Sequence, residues 1–413
     1  MPTCEIITTG TELLLGAIVN THPNYLAPKL LALGIRLSRV VTVGDDRPAI
    51  KAAVSEAINR AALVIVTGGL GPTSDDHTRD VVADLLGRKL RQDDTILDKI
   101  KERFRTRGFT PPAAVAVQAQ VPEGAIVLPN DHGTAPGLAL DTLHASRSTL
   151  IILLPGPPRE LKPMFENHVL PLLRERGFVT PVECRTSRTV GTGESVVAEL
   201  VEPIIAGQPD VEIGYCARPN EVDVRLMTHG DRAKERADEL GARIQEKLGD
   251  IVFGGADDRL EQVVVHELVR QRKTLATAES CTGGLLANRI TNVSGSSETF
   301  LQGIVCYSND AKQRLVGVKP ETLAAQGAVS EPVAHELAEG IRVRAGSDFG
   351  VGITGIAGPT GGTPDKPVGL VFIALAGPRG TEVKRAVYKL DRETFKLVVT
   401  QTALDMLRRA LKG

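Results

Sequence analysis

Thr277-Ala278-Glu279-Ser280-Cys281-Thr282-Gly283-Gly284 is the stretch that decides how the chain is organised. A short apolar run, Thr274-Leu275-Ala276, leads into it as a strand. Leu285-Leu286-Ala287-Asn288-Arg289-Ile290 leaves it with helical spacing. A hydroxyl at such a turn sits over a helix N-terminus, where unpaired N–H groups and the dipole favour developing negative charge. Gly283 and Gly284 carry no Cβ to hold a substrate off the backbone. That is the layout of a nucleophile, Ser280, beside an oxyanion site. Taken alone, the stretch reads more simply as a glycine turn with Ser as helix N-cap. Residues downstream decide between the two.

Composition narrows the classes. A chain of 413 residues has room for about two to four domains. Its 42% hydrophobic and 24% charged residues are ordinary for a soluble globular protein. A formal net charge of −1 gives no basic field for nucleic acid and no polybasic run for a membrane surface. Aromatics are 3% of residues and Trp is absent, which leaves no stacking platform for single strands. The cysteines (Cys4, Cys184, Cys216, Cys281, Cys306) are scattered without a CxxC pair, as expected of reduced thiols in a cytoplasmic protein. Neither a signal peptide nor a run of roughly 18 apolar residues is evident.

The first segment, residues 1–172, alternates strand-like and helix-like runs as a doubly wound α/β domain does. Cys4–Thr8, Arg36–Val43, Leu63–Val66 and Thr149–Leu154 read as strands; Leu26–Leu33 and Pro48–Ala61 read as helices. Leu63–Val66 runs straight into Thr67-Gly68-Gly69-Leu70-Gly71-Pro72-Thr73-Ser74-Asp75-Asp76. Glycines there let backbone N–H groups approach an anion such as phosphate, and Asp75 and Asp76 can hold a divalent cation bridging to it. Tight-turn glycines with an Asp N-cap explain the same loop. It is neither GxGxxG nor a Walker A sequence. Asn130-Asp131-His132-Gly133-Thr134-Ala135-Pro136-Gly137 and Pro155-Gly156-Pro157-Pro158-Arg159-Glu160 also follow strand-like runs. Three such loops suit a ligand at the carboxyl ends of an open sheet.

Gly10-Thr-Glu-Leu-Leu-Leu-Gly16, the Thr67 to Asp76 loop, Asn130-x-x-Gly133-Thr-Ala-Pro-Gly137 and Pro155-Gly-Pro-Pro together resemble the N-terminal domain of the CinA (competence/damage-inducible protein A) family. That domain is similar to the molybdopterin-binding fold. The resemblance implies a ligand site at Thr67, Gly68, Gly69 and Gly71, with Asn130, Gly133, Thr134, Pro155 and Gly156 around it. It further implies a metal-dependent ADP-ribose pyrophosphatase activity. No Nudix-type Glu-rich helix is present, so the carboxylates must be arranged otherwise; Asp76 is the leading metal ligand, with Asp75 and Glu160 beside it. Asn20-Thr21-His22-Pro23 departs from the expected Asn-Thr-Asn followed by a small residue.

Residues 173–254 shift in character. Cys184–Val190 alternates like a strand, a helix opens at Gly193-Glu194-Ser195, and Val211–Cys216 with Glu221–Met227 suggests a hairpin. Asp231 to Leu248 is amphipathic. This small α+β unit resembles the KH-like middle domain of the CinA family. It has no GxxG clamp, so a spacer or dimerisation role is expected in place of RNA binding. Phe253 to Asp257 reads as a linker.

The third segment, residues 255–413, carries the opening stretch. Gly303–Tyr307 reads as a strand, Ser308 or Asn309 as the N-cap of a helix containing Lys312, and Phe349–Ile353 as a strand feeding Thr354-Gly355-Ile356-Ala357-Gly358-Pro359. A serine nucleophile needs a base, and no His stands in these motifs. Lys312 serves if its pKa falls from about 10.4 towards 7–8, at a cost of roughly 4 kcal/mol. Burial and the positive end of its own helix both push that way. By spacing alone it is an ordinary solvated helix lysine. Tyr307 is placed to relay a proton or fix the ammonium, and Thr354 to orient either group. Cys281 is taken as packing, although a thiol near a helix N-terminus can rival a serine.

Ala278-Glu-Ser-Cys-Thr-Gly-Gly284, Gly303-x-x-x-Tyr307-x-x-x-x-Lys312, Gly327-Ala-Val-Ser330 and Thr354-Gly-Ile-Ala-Gly-Pro359 resemble the C-terminal CinA domain and the bacterial nicotinamide mononucleotide (NMN) amidohydrolases. The resemblance implies Ser280 as nucleophile, Lys312 as base, and Tyr307 and Thr354 as supporting hydroxyls. It further implies that Thr282, Gly283, Gly284, Gly355 and Gly358 line the nucleotide pocket. The expected protein is bifunctional: it deamidates NMN without a cofactor, and hydrolyses ADP-ribose with a divalent metal. Its partners are pyridine nucleotides and a second copy of itself as a homodimer, with neither nucleic acid nor membrane. The alternative is an N-terminal domain that only binds a molybdopterin-like ligand, in an interaction factor of the competence or damage response.

Overall fold

A computed structural model describes residues 1–144 and 147–412. The chain divides into two compact units, residues 1–183 with 228–234, and residues 184–227 with 235–413.

In the first unit, strands β1 (Thr3–Thr9), β2 (Arg36–Val43), β3 (Leu63–Thr67), β4 (Ile126–Leu128), β5 (Gly137–His144) and β6 (Arg147–Leu154) form one sheet ordered β2-β1-β3-β6-β5-β4. β1 is parallel to β2 and β3, and β3 to β6; β5 runs antiparallel to both β4 and β6. β3 is buried along its whole length because both faces of the sheet are covered. Alternate side chains therefore go to opposite cores. Leu63 and Ile65 pack with Leu26 and Leu30 of helix α1 (His22–Ala32), while Val64 and Val66 pack with Ile50 and Val54 of α2 (Arg47–Ile58). Truncating Ile65 to Ala would cost about 2–5 kcal/mol. α2 starts where Asp46 accepts a hydrogen bond from the Ala49 N–H at 2.9 Å, with Pro48 in the first turn. The chain moves from β1 to β2 on one side and to β3 on the other. That switch opens a crevice at the strands' carboxyl ends, where Gly10, Gly68 and Pro155 follow β1, β3 and β6.

The second unit begins with a four-stranded sheet of β7 (Val182–Val190), β8 (Val211–Arg218), β9 (Glu221–His229) and β10 (Val252–Gly254), ordered β8-β9-β7-β10. Val197 and Val201 of α3 (Glu194–Ile205) pack on Val222, Val224 and Leu226. The stretch expected to be a linker starts inside β10, which pairs antiparallel with β7. Phe253 is buried in one cluster with Val190 and residues of the third domain. Strand pairing and aromatic burial outweigh the glycine punctuation of Gly254-Gly255.

The remaining sheet holds β11 (Leu275–Glu279), β12 (Phe300–Val305), β13 (Phe349–Gly355), β14 (Leu370–Gly377) and β15 (Gly380–Val387) in the order β12-β11-β13-β14-β15. β11 is parallel to its neighbours β12 and β13, and the last two strands are antiparallel. α4 (Leu260–Gln271) precedes β11, which is buried along its whole length up to the turn at Ser280. α5 (Leu285–Thr291) follows that turn, and α6 (Asn309–Val316) follows β12. One face of the sheet is covered by α4 and α8 (Arg392–Lys412), the other by α7 (Glu331–Ala345), whose Val333, Leu337 and Ile341 meet Ala276 and Ala278. The architecture is the expected series: a doubly wound domain, a small α+β domain and an α/β/α domain. β11 again sits at a switch in strand order, so Ser280, the residue after it, stands in the crevice.

Candidate active sites

Ser308 caps α6, its hydroxyl accepting from the Ala311 N–H at 3.1 Å. That cap fixes the helix phase so that Lys312 and Val316 both point inward. Lys312 is 1% exposed. Its Nζ lies 3.0 Å from Ser280 Oγ, 2.9 Å from the Cys306 carbonyl and 3.0 Å from the Tyr307 carbonyl. An ammonium would donate to all three. A neutral amine donates its two protons to the carbonyls and turns its lone pair to the serine hydroxyl, which is the geometry of a base. Burial lowers the lysine pKa from its usual value, favouring the neutral form. Among the described residues no carboxylate pairs with this amine to reverse that shift.

The turn itself differs from expectation. Glu279, 1% exposed, sends its carboxylate back over α5. Oε2 accepts from the Gly284 and Leu286 N–H groups at 3.1 and 3.0 Å, and Oε1 from Ala287 at 2.8 Å. The α5 N-terminus expected to hold an oxyanion is therefore occupied by the protein's own anion, which satisfies the orphan donors and the dipole there. The Gly283 N–H closes a turn onto the Ser280 carbonyl at 3.1 Å. Gly283 and Gly284 have φ of 64° and 91°, a conformation that side-chain-bearing residues adopt at a cost. No backbone carbonyl among the described residues accepts from the N–H groups of Cys281 and Thr282. Thr282 is itself fully buried, and its hydroxyl likewise has no partner among them.

Two supporting hydroxyls go elsewhere. Thr354 is buried and donates to the Ala328 carbonyl at 2.7 Å, so it ties the end of β13 to residue 328 and reaches neither Ser280 nor Lys312. Tyr307 contributes its carbonyl to Lys312, while its exposed hydroxyl accepts from Arg392 Nη2 at 3.2 Å. A side chain leaving an extended segment points away from its own carbonyl's partner, which accounts for the difference. Cys281 is buried and its thiol pKa is pushed up to about 12 by desolvation, so it stays protonated and packs. Arg392, which the sequence patterns do not flag, opens α8 and also donates Nη1 to the Gly358 carbonyl at 2.9 Å. One turn on, Lys396 Nζ comes within 3.6 Å of where a Cβ on Gly283 would stand. These two cations border the Gly283 turn, Tyr307 and Gly358, and neither has a carboxylate partner among the described residues. Gly355 ends β13 at the same rim.

In the first unit a cavity of about 390 Å³ lies at the carboxyl ends of β1, β3 and β6. Gly68, Gly69, Gly71, Asp75, Asp76, Thr134, Pro155, Gly156 and Glu160 line it, joined by Glu12, Asp45 and Gln118, which sequence patterns did not mark. Gly68 takes φ 101°, and a Cβ there would come 2.6 Å from the Thr9 carbonyl, so only glycine lets this loop cross β1. Thr67 is buried behind the wall, its hydroxyl 2.9 Å from His22 Nδ1. His22 is held below the usual histidine pKa by burial. Asn130 and Gly133 line a neighbouring cavity of about 250 Å³ instead. The Asn130 side chain accepts from the Gly133 N–H at 2.7 Å and donates to Glu160 Oε2 at 2.9 Å, fixing that carboxylate. Asp76 Oδ2 accepts from the N–H and hydroxyl of Thr73, so one of its oxygens caps the loop. Asp75, Asp76 and Glu160 share the cavity without meeting as a ready-made ligand set, and no group of three or more metal-ligating side chains stands together among the described residues. Such oxygen donors still suit a cation of the magnesium type, which takes one or two carboxylates and completes its shell with water and substrate phosphate.

The family model of the CinA C-terminal domain matches residues 257–411, that of a probable molybdopterin binding domain residues 5–175, and that of the damage-inducible protein CinA KH domain residues 184–254. A CinA-like protein of Kosmotoga olearia is 45% identical over 411 residues, covering 98% of each chain. Another CinA-like protein, from Gemmatimonas aurantiaca, is 42% identical over 414 residues, 98% of this chain and 96% of its own. Among solved structures, the competence/damage inducible protein CihA of Agrobacterium tumefaciens is 40% identical, covering 37% of this chain and 94% of its own with a TM-score of 0.36. No helix among the described residues is long and apolar enough to cross a membrane.

Proposed function

Since the chain belongs to the CinA family, we propose that its C-terminal domain is an amidohydrolase acting on nicotinamide mononucleotide through Ser280 and Lys312. The observation that carries this is the buried Lys312 amine 3.0 Å from Ser280 Oγ. Neutral Lys312 takes the serine proton as Oγ bonds to the carboxamide carbon. The carbonyl π pair moves onto oxygen, and the Cys281 and Thr282 N–H groups receive that oxyanion in place of the α5 terminus. As the carbon–nitrogen bond breaks, the Lys312 ammonium returns the proton to nitrogen and ammonia leaves. Water, deprotonated by the same amine, then adds to the acyl carbon; the ester bond breaks, Lys312 returns that proton to Ser280 Oγ, and nicotinate mononucleotide leaves. Arg392 and Lys396 at the rim receive the nucleotide phosphate. The test is ammonia release from NMN by the full chain, with nicotinamide riboside as the phosphate-free control. Turnover of NMN in strong preference to the riboside is expected; no ammonia from either compound refutes the assignment.

For the N-terminal domain we propose metal-dependent hydrolysis of the pyrophosphate bond of ADP-ribose. Asp76 and Glu160 would hold the divalent ion with Asp75, and it would offset charge on the pyrophosphate oxygens. The Gly69 to Gly71 amides approach those oxygens, the Gly68 N–H being held by the Leu154 carbonyl at 2.9 Å, and Asn130 keeps Glu160 facing the cavity. Protonated nitrogen at His22 is disfavoured by burial, so this residue orients Thr67 as a neutral ring.

A further inference from the structure

On the reading of Ser280 as nucleophile, we propose that the middle domain is a working part of the hydrolase site, positioning Ser280 through Glu221, Gln401, Arg289 and helix α5. α5 has only seven residues, too few to be stable without tertiary contacts. It is fixed at both ends. Glu279 grips its first amides, as described above. Towards its other end Arg289 donates to Glu261 at 2.7 Å, to the Thr400 hydroxyl at 2.9 Å and to the Gln401 side-chain oxygen.

Gln401, 2% exposed on α8, then donates its amide nitrogen to Glu221, the first residue of β9 in the middle domain. Glu221 accepts from Arg188 Nη2 on β7 at 2.9 Å, and Arg188 Nε reaches Asp223 at 3.1 Å. One orientation of the Gln401 amide serves both neighbours, oxygen to the guanidinium and nitrogen to the carboxylate. A buried chain of this kind is specific because each link, once broken, leaves a polar group without a partner. Ser280 is separated from Arg289 by the turn and about one turn of helix, so a shift of α5 moves the serine against Lys312, which is anchored separately on α6. Glu221 and Gln401 are positioning residues. Neither is among the groups around Ser280 Oγ and Lys312 Nζ.

The experiment uses the full chain with Gln401→Leu, a change that leaves Glu221 paired with Arg188 and Arg289 paired with Glu261. Three quantities are measured: kcat and KM for ammonia release from NMN, the rate at which phenylmethanesulfonyl fluoride sulfonylates Ser280, and the melting temperature. A displaced nucleophile predicts that kcat and the sulfonylation rate fall together by about tenfold, with KM within about twofold of wild type. A network that only stabilises the fold predicts a lower melting temperature with both rates unchanged, and that result overturns the proposal. If the wild type is sulfonylated at Ser280 but leaves NMN intact, the substrate assignment falls and the labelling rates alone decide the positioning claim. If the wild type shows neither reaction, both fall. Should Gln401→Leu fail to fold, Gln401→Met, which likewise removes both amide links and leaves Glu221 paired with Arg188, gives the same comparison.

Discussion

Replacing Lys312 by Met removes the base and keeps most of the buried volume, and the structure sets the size of each consequence. Loss of a positioned general base costs about 10²- to 10⁴-fold in rate. For stability, the Cys306 and Tyr307 carbonyls each lose a donor, about 1–3 kcal/mol apiece where no water replaces it. Against this, the wild-type amine is buried with a lowered pKa, and every unit of that shift is about 1.4 kcal/mol that the variant no longer suffers. The two terms oppose each other, so the variant stays folded at neutral pH. The sign with pH follows from linkage. Below the unfolded lysine pKa of about 10.4 the unfolded chain holds a proton that the native site resists, so wild-type stability rises with pH until that value is passed. Lys312→Met lacks this slope, and its stability relative to wild type is therefore best at neutral pH and poorest above about pH 10.4. In activity, kcat/KM of the wild type rises with pH as Lys312 deprotonates, along a limb lying below the usual lysine value. Ammonia release and thermal melts of both proteins, from neutral pH to above pH 10, measure all of this. A folded Lys312→Met enzyme within about threefold of wild-type kcat, far short of the loss expected for a base, refutes the mechanism.

Cys281→Ala should keep most deamidase activity while losing about 1–2 kcal/mol of packing, read by ammonia release and chemical denaturation. Near-complete loss of activity in a folded variant would shift the nucleophile to the thiol. Arg392→Ala should raise KM for NMN by about 10- to 100-fold, as removal of a charge-assisted hydrogen bond does, and leave the riboside unaffected. Equal losses on both compounds would remove the phosphate from this rim. Chelation by EDTA, and separately Asp76→Asn with Glu160→Gln, should abolish AMP release from ADP-ribose without changing ammonia release from NMN. Metal-independent AMP release would exclude the carboxylate assignment.

Most of the fold was legible because its elements announce themselves locally. Leu63–Val66 is a continuous apolar run before a glycine loop, and only a strand covered on both faces needs one. Arg36–Val43 and the α6 cap at Ser308 stand where pattern and capping chemistry put them. Ser280 and Lys312 were legible as residue types in motifs, and the fold brings the two together. What escaped were roles set by direction. The hydroxyls of Tyr307 and Thr354 fit a relay by spacing, yet the backbone turns one to Arg392 and the other to Ala328. Glu279 stood inside the decisive stretch, and an acid next to a helix start signals a cap; the competition between carboxylate and oxyanion for the same amides appears only in three dimensions. Arg392 and Gln401 lie on the last helix, so nothing local links them to Ser280. Phe253 looked like linker because the glycines beside it mask a strand pairing formed across the domain.

The most direct test of the Ser280–Lys312 claim is rapid-quench mass spectrometry of the full chain during NMN turnover, with peptide mapping of any covalent adduct. The acyl intermediate is predicted on Ser280, and on no other residue. An adduct on Cys281, or turnover with water adding directly and no acylated protein at any quench time, would contradict it.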